Sequence, residues 1–207
     1  MRARFCKKGD AIFFSHLDLQ RAVQRALRRS KIPYWSTGGF SPHPYCIFAQ
    51  PLSLGFESEG ELFDFRILAG EDFDPEMLKA VFPDTLKLVE IYEPEAPFKK
   101  ITDATYEILI KTKHTADDIK KAFEGPLTVL KKTKRSETEV DIRDFIKRIE
   151  IADHAIGVKI DCDVATGNEK TLNPNYIELA LNEAGIPCSF KKVCRIHFLE
   201  ESGKVFR

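Results

Sequence analysis

The chain has 207 residues, of which 43% are hydrophobic, 11% aromatic and 31% charged. That ordinary composition holds enough apolar material for a core and excludes wholesale disorder. Thirty-two basic residues balance thirty-two acidic ones, which argues against indiscriminate nucleic-acid binding while leaving room for a local phosphate-binding patch.

The first segment, RARFCKKGDAIFFS, reads as extended, with Gly9-Asp10 as a tight turn or bulge. SHLDLQRAVQRALRRSKIP then predicts an amphipathic helix. Ser15 and Asp18 form a capping-box-like start, and Pro33 provides the stop. Leu19, Val23, Ala26, Leu27 and Ser30 recur at helical spacing, with Arg21, Arg25, Arg28 and Arg29 on the other side. The stretch from Ile32 to Leu68 is rich in aromatic and β-branched residues and broken by Gly and Pro, so it reads as strands joined by irregular loops. DPEMLKAVF is a short helix capped by Asp74, and TLKLVEIYE a strand.

EPEAPFKK is a candidate linker. Beyond it ATYEILIKTK is a strand, and residues 115–124 form a helix capped by Thr115 and Asp118 and closed by Gly125. LTVLKKTKR, RIEIA and AIGVKIDCDV read as strands, NPNYIELALNEAG as a helix, and SFKKVCRIHFLEE as the final strand. The order in the first part is that of a βαββαβ unit, and the second repeats it in outline, with three strands between its helices. The expectation is an α+β fold of two consecutive ferredoxin-like units, over 1–97 and 98–207, with mainly antiparallel sheets and helices packed on one face.

Charge is uneven along this frame. Residues 1–50 carry nine Lys/Arg against Asp10 and Asp18, whereas residues 51–98 carry three basic and twelve acidic residues. Arg2, Arg4, Lys7 and Lys8 therefore add to the basic helix with little acid nearby in sequence. A groove between the halves, edged by these residues and by Lys131, Lys132, Lys134 and Arg135, would suit a phosphate backbone. Glu57, Glu59, Glu61 and Asp64 read as a solvated hairpin before a metal site, or as a docking face for a basic partner.

The densest unusual segment is STGGFSPHP. Gly38 and Gly39 free the backbone, Pro42 and Pro44 stiffen it, and His43 before a proline is pushed into extended geometry. Trp35, Phe40 and Tyr45 would stack on a single-stranded RNA base or a planar ligand; the plain alternative is a structural loop that fills the core. His16 stands in the first turn of the basic helix, where the dipole disfavours imidazolium. His16 and His43 are the candidate catalytic residues. If the second strand is Ile32–Ser36 they can meet as an acid/base pair; if it starts only at Tyr45 they lie about 17–20 Å apart.

Five cysteines, at 6, 46, 162, 188 and 194, form no CxxC pair. They read as small buried hydrophobes, and Cys194 and His197 on one strand should face opposite sides, so no metal site is expected. No phosphate-binding Gly-rich loop, HExxH, nucleophile elbow or dinucleotide fingerprint occurs, which leans against an enzyme. No run of apolar residues is long enough to span a membrane, and MRARFCKKGD lacks a signal peptide's apolar stretch. A cytoplasmic protein with no membrane partner is expected.

RARFCKKGDAIFFSHLDLQRAVQRALRRSKIP, STGGFSPHPY and FAQPLSLGFESEGELFDF resemble the uncharacterised radical-SAM-linked protein family, most specifically over residues 2–65. SHLDL and GFSPHP carry the resemblance, and VDIRDFI fits the family's looser C-terminal pattern. It implies a radical SAM protein as partner and genes for ribonuclease E/G and ribosomal proteins as neighbours. The chain lacks the enzyme's CxxxCxxC motif, so it resembles the stand-alone partner. The iron–sulfur cluster and S-adenosylmethionine are expected only in that enzyme, and no cofactor is expected here. The resulting expectation is an accessory protein presenting a structured tRNA or rRNA to the enzyme. Its RNA-binding residues would be Arg21, Arg25, Arg28, Arg29, Lys7, Lys8, Trp35, Phe40, His43 and Tyr45. The alternatives are an adaptor without RNA affinity, and a metal-independent endoribonuclease using His16 or His43.

Overall fold

A computed structural model describes residues 1–132 and 137–207. They form two compact units, Met1–Phe98 with Arg207, and Lys99–Phe206.

In the first unit β1 (Arg2–Lys7) leads into a 3-10 turn over Gly9–Phe13. The chain turns at Gly9-Asp10 as expected, Gly9 taking φ +53°, but the residues that follow are not extended: Phe14 N–H closes on the Ala11 carbonyl at 2.9 Å. α1 (His16–Arg29) starts at the expected capping box, where Ser15 Oγ accepts from Asp18 N–H and the Asp18 carboxylate accepts from Ser15 N–H, each at 3.2 Å. It ends before Pro33. Ser30 Oγ donates to the Leu27 carbonyl at 2.8 Å, and Lys31 takes φ +60°. β2 (Cys46–Phe48), β3 (Glu57–Phe65), α2 (Pro75–Lys79) and β4 (Leu88–Tyr92) complete the unit.

The sheet order is β4-β1-β3-β2, antiparallel throughout. That is the ferredoxin-like arrangement, in which each β-α-β crossover skips one strand. Leu19, Val23 and Leu27 of α1 and Leu78 of α2 bury against Ala3, Phe5, Phe63 and Phe65 in one core cluster. The opposite side of α1 is left to its arginines.

The second unit repeats the order. β5 (Ile101–Thr112), α3 (Ala116–Glu124), β8 (Ile146–His154), β9 (Gly157–Ala165), α4 (Asn175–Glu183) and β10 (Cys188–Glu200) give β10-β5-β9-β8, also antiparallel. Between α3 and β8 a separate hairpin is inserted, β6 (Thr128–Lys132) paired with β7 (Glu137–Asp141). It packs beside α4. No helix among the described residues is long and apolar enough to cross a membrane.

Candidate nucleic-acid interface

STGGFSPHP is an exposed hairpin-like loop. Thr37 N–H donates to the His43 carbonyl at 2.9 Å, Ser36 bridges Pro44, and Tyr45 N–H donates to the Trp35 carbonyl at 3.1 Å. Gly39, at φ +96°, makes the tip possible. Phe40 at that tip is fully exposed, and Trp35 is 37% exposed. Only Pro44 of residues 36–44 is buried. His43 Nδ1 lies 3.1 Å from both the Ser41 carbonyl and the Thr37 hydroxyl, which fixes the ring against the loop.

At the base of the loop the Trp35 and Tyr45 rings meet edge to face, 5.6 Å between centroids. Arg66 sits over both, 4.5 Å from Tyr45 and 5.5 Å from Trp35. Sequence reasoning did not single out Arg66. Its signal was there, since it is one of only three basic residues between 51 and 98 and directly follows an aromatic strand.

Arg21, Arg25, Arg28 and Arg29 are all exposed along α1. Arg28 joins the helix to the loop, its guanidinium 3.5 Å from the Pro42 carbonyl, and Arg29 reaches the Val81 carbonyl at 3.1 Å. Arg25 has no partner among the described residues.

The cations of the first strand are placed otherwise than expected. Lys7 is buried at 1% exposure, its Nζ donating to the Ile12 carbonyl at 3.2 Å. Lys8 pairs with Glu59 at 2.5 Å, Arg4 with Glu90 at 2.9 Å, and Arg2 grips Asp64 with two bonds of 2.7 and 2.9 Å. The acid absent from the neighbouring sequence is supplied by the flanking strands β3 and β4. Glu57–Asp64 is therefore no solvated hairpin: Glu59 and Asp64 are held in ion pairs and Glu61 is buried. Lys134 and Arg135 lie outside the described residues.

His16 and His43 do not form a pair. His16 opens α1 and lies edge-on to Phe48, 5.6 Å between ring centroids. The loop reaches α1 at Arg28, twelve residues further along, which at the helical rise is about 18 Å. β2 starts at Cys46, with Tyr34 making only an isolated bridge to Ile67, so the arrangement that separates them is the one formed. His16, Lys7, Glu61 and Gln50 line a recess of about 10 Å³, room for a single water.

Burial pushes the Cys46 and Cys188 thiols up to about 11 and Cys162 up to about 12, so all three stay protonated at neutral pH. Cys194 and His197 share a face, contrary to the alternation: they pair with Glu107 and Thr105, because the register shifts between Arg195 and His197. Among the described residues no three His, Cys, Asp or Glu side chains are grouped to hold a metal.

A family described as "Uncharacterized protein conserved in bacteria (DUF2344)" matches residues 1–174. The chain belongs to that family. No curated protein matches it. Among solved structures, it is similar to a chain in a crystal structure of a Cbf5-Nop10-Gar1 complex, with TM-score 0.55 and 11% identity. The similarity covers 97% of this chain and 50% of that one. A second, from the archaeal box H/ACA sRNP Nop10-Cbf5 complex, has TM-score 0.50 and 11% identity over 94% of this chain and 46% of that one. The chain thus spans about half the length of the structures it matches. At that identity the likeness is one of fold, and it agrees with the doubled α+β architecture of this family member.

Proposed function

We propose that the protein binds looped or single-stranded RNA through the exposed arginines of α1 and the aromatic loop of residues 35–45. The carrying observation is the junction of the two: Arg28 on the basic helix reaches Pro42 in the loop that holds a fully exposed Phe40. Arginines positioned beside free aromatic rings are the usual means of holding an unstacked base and its phosphates together. The likeness to a chain from an sRNP complex is in keeping with this reading.

The RNA would be a tRNA or rRNA handed to a radical SAM enzyme, the partner implied by the SHLDL and GFSPHP resemblance. The enzyme would then hold the iron–sulfur cluster and S-adenosylmethionine. Reversing Arg21 and Arg25 to Glu should weaken binding of a structured RNA and flatten its salt dependence. Phe40→Ala should weaken binding by about tenfold, the scale of one lost base stack. Fluorescence anisotropy at several salt concentrations reads both effects, and unchanged affinity in both variants removes this surface from the account.

A protein-only adaptor is favoured by a different observation. Phe13 and Leu17 are 70% and 52% exposed around the start of α1, with Leu54 at 61% in the loop whose Gly55 N–H donates to the Ile12 carbonyl. That reading requires Leu17→Asp to abolish copurification of the enzyme while the wild-type protein shows no RNA affinity.

A further inference from the structure

Arg66 is held but not used. The Trp35 N–H donates to its carbonyl at 2.8 Å, fixing the backbone, and its guanidinium lies over Tyr45 and Trp35. Its side chain makes no hydrogen bond and no ion pair among the described residues, so an exposed donor fork resting on two rings is left open. Arg66 also lines a recess of about 470 Å³ with Ile67, Glu71, Phe73 and Glu93. Glu71 and Glu93 likewise have no side-chain partner among the described residues. Among the described residues the Asp72 carboxylate, on the same recess, accepts only from Phe73 N–H, at 2.9 Å.

We infer that Arg66 reads the O6/N7 edge of a guanine in single-stranded RNA, with the carboxylates of the recess accepting from the same base's N1–H and N2–H. The inference rests on the RNA-binding reading and names what one part of that site selects. Two acceptors in one plane are what a guanidinium fork takes, and guanine O6 and N7 supply them. A phosphate would also fit the fork, but Glu71, Asp72 and Glu93 repel an anion, whereas guanine is neutral and brings donors to them. Adenine would set its N6 donor against the fork. Uracil sets the N3–H donor between its two carbonyls, and cytosine, whose O2 and N3 could take the fork, brings the carboxylates only its N4 amino group where guanine brings N1–H and N2–H together. A coplanar base can also continue over the exposed part of the Trp35 indole, which a tetrahedral phosphate cannot do.

The test uses the full chain and a short uridine oligomer, unmodified or with one central guanosine, 7-deazaguanosine or adenosine. The guanosine oligomer should bind about tenfold more tightly than the others, the discrimination expected of one bidentate contact. Arg66→Lys keeps the charge but loses the fork, and should erase that preference while retaining binding to the uridine oligomer. The deaza substitution checks the contact without altering the protein. Equal affinity for guanosine and 7-deazaguanosine overturns the inference, as does an equal loss for every oligomer in Arg66→Lys, which would mean a phosphate clamp. Free guanosine monophosphate binding as tightly as the oligomer would make the site one for a nucleotide and not RNA. No binding to any oligomer would instead be the failure of the RNA reading itself.

Discussion

Arg2 and Arg25 belong to the same basic stretch of sequence, yet their surroundings give them opposite work. Arg2 is fully buried, bonded twice to Asp64 and stacked 4.1 Å from the centre of the Phe98 ring. Removing the arginine strips the partly buried Asp64 of both bonds and takes away the packing against Phe98. Arg2→Ala should therefore lower the unfolding free energy by about 3 kcal/mol in urea titrations. Arg25 is exposed and unpartnered among the described residues, so Arg25→Ala should leave the urea midpoint where it is and, under the proposed function, alter only RNA affinity. Composition could not separate the two. Nine basic residues were visible at once, but the acids that neutralise Arg2, Arg4 and Lys8 come from positions 64, 90 and 59. Only strand pairing brings them together.

At the level of elements, the helices were legible because their ends are written locally. Ser15 with Asp18 and Thr115 with Asp118 both form complete capping boxes. Ser15→Ala should cost about 1 kcal/mol and lower thermal stability without moving the sheet. LTVLKKTKR reads as a strand and its described part, Thr128–Lys132, is one, but the partner arm of the hairpin goes unread. That arm, ETEVD, has too few apolar residues to show an alternating stripe. The turn that follows is set by Asp141, whose carboxylate accepts from Arg143 N–H at 3.0 Å, and nothing in its spacing marks it as a break. The shift that brings Cys194 and His197 to one face was equally invisible, because a one-residue bulge leaves no compositional trace. The aromatic loop showed its residues in sequence but not its exposure or its contact with Arg66, which depends on a partner some twenty residues downstream of Tyr45.

Across the whole molecule, two copies of one strand order carry several carboxylates whose proton affinity is lowered by folding. Hydrogen bonds from Ser15 do this to Asp18, those from Thr115 to Asp118, and those from Arg143 to Asp141. Burial pushes Asp163 up, but hydrogen bonds from Arg148 and Thr105 outweigh it and hold the carboxyl below the ordinary range. Near the unperturbed value of 3.8 the folded state binds fewer protons than the unfolded one. The stability these groups give is thus complete above that value and is lost as pH falls through the lower folded values. Urea midpoints should decline on acidification below that point, and Asp163→Asn should make the decline shallower. The sheet order has one more outcome, in time. β1 is an interior strand, and both its neighbours, β3 and β4, end later, at Phe65 and Tyr92. At ordinary translation speeds the ribosome needs about two to seven seconds to add residues 57–92. Until it has done so, the newborn chain carries Arg2, Arg4 and Lys8 with their full set of matching acids still incomplete.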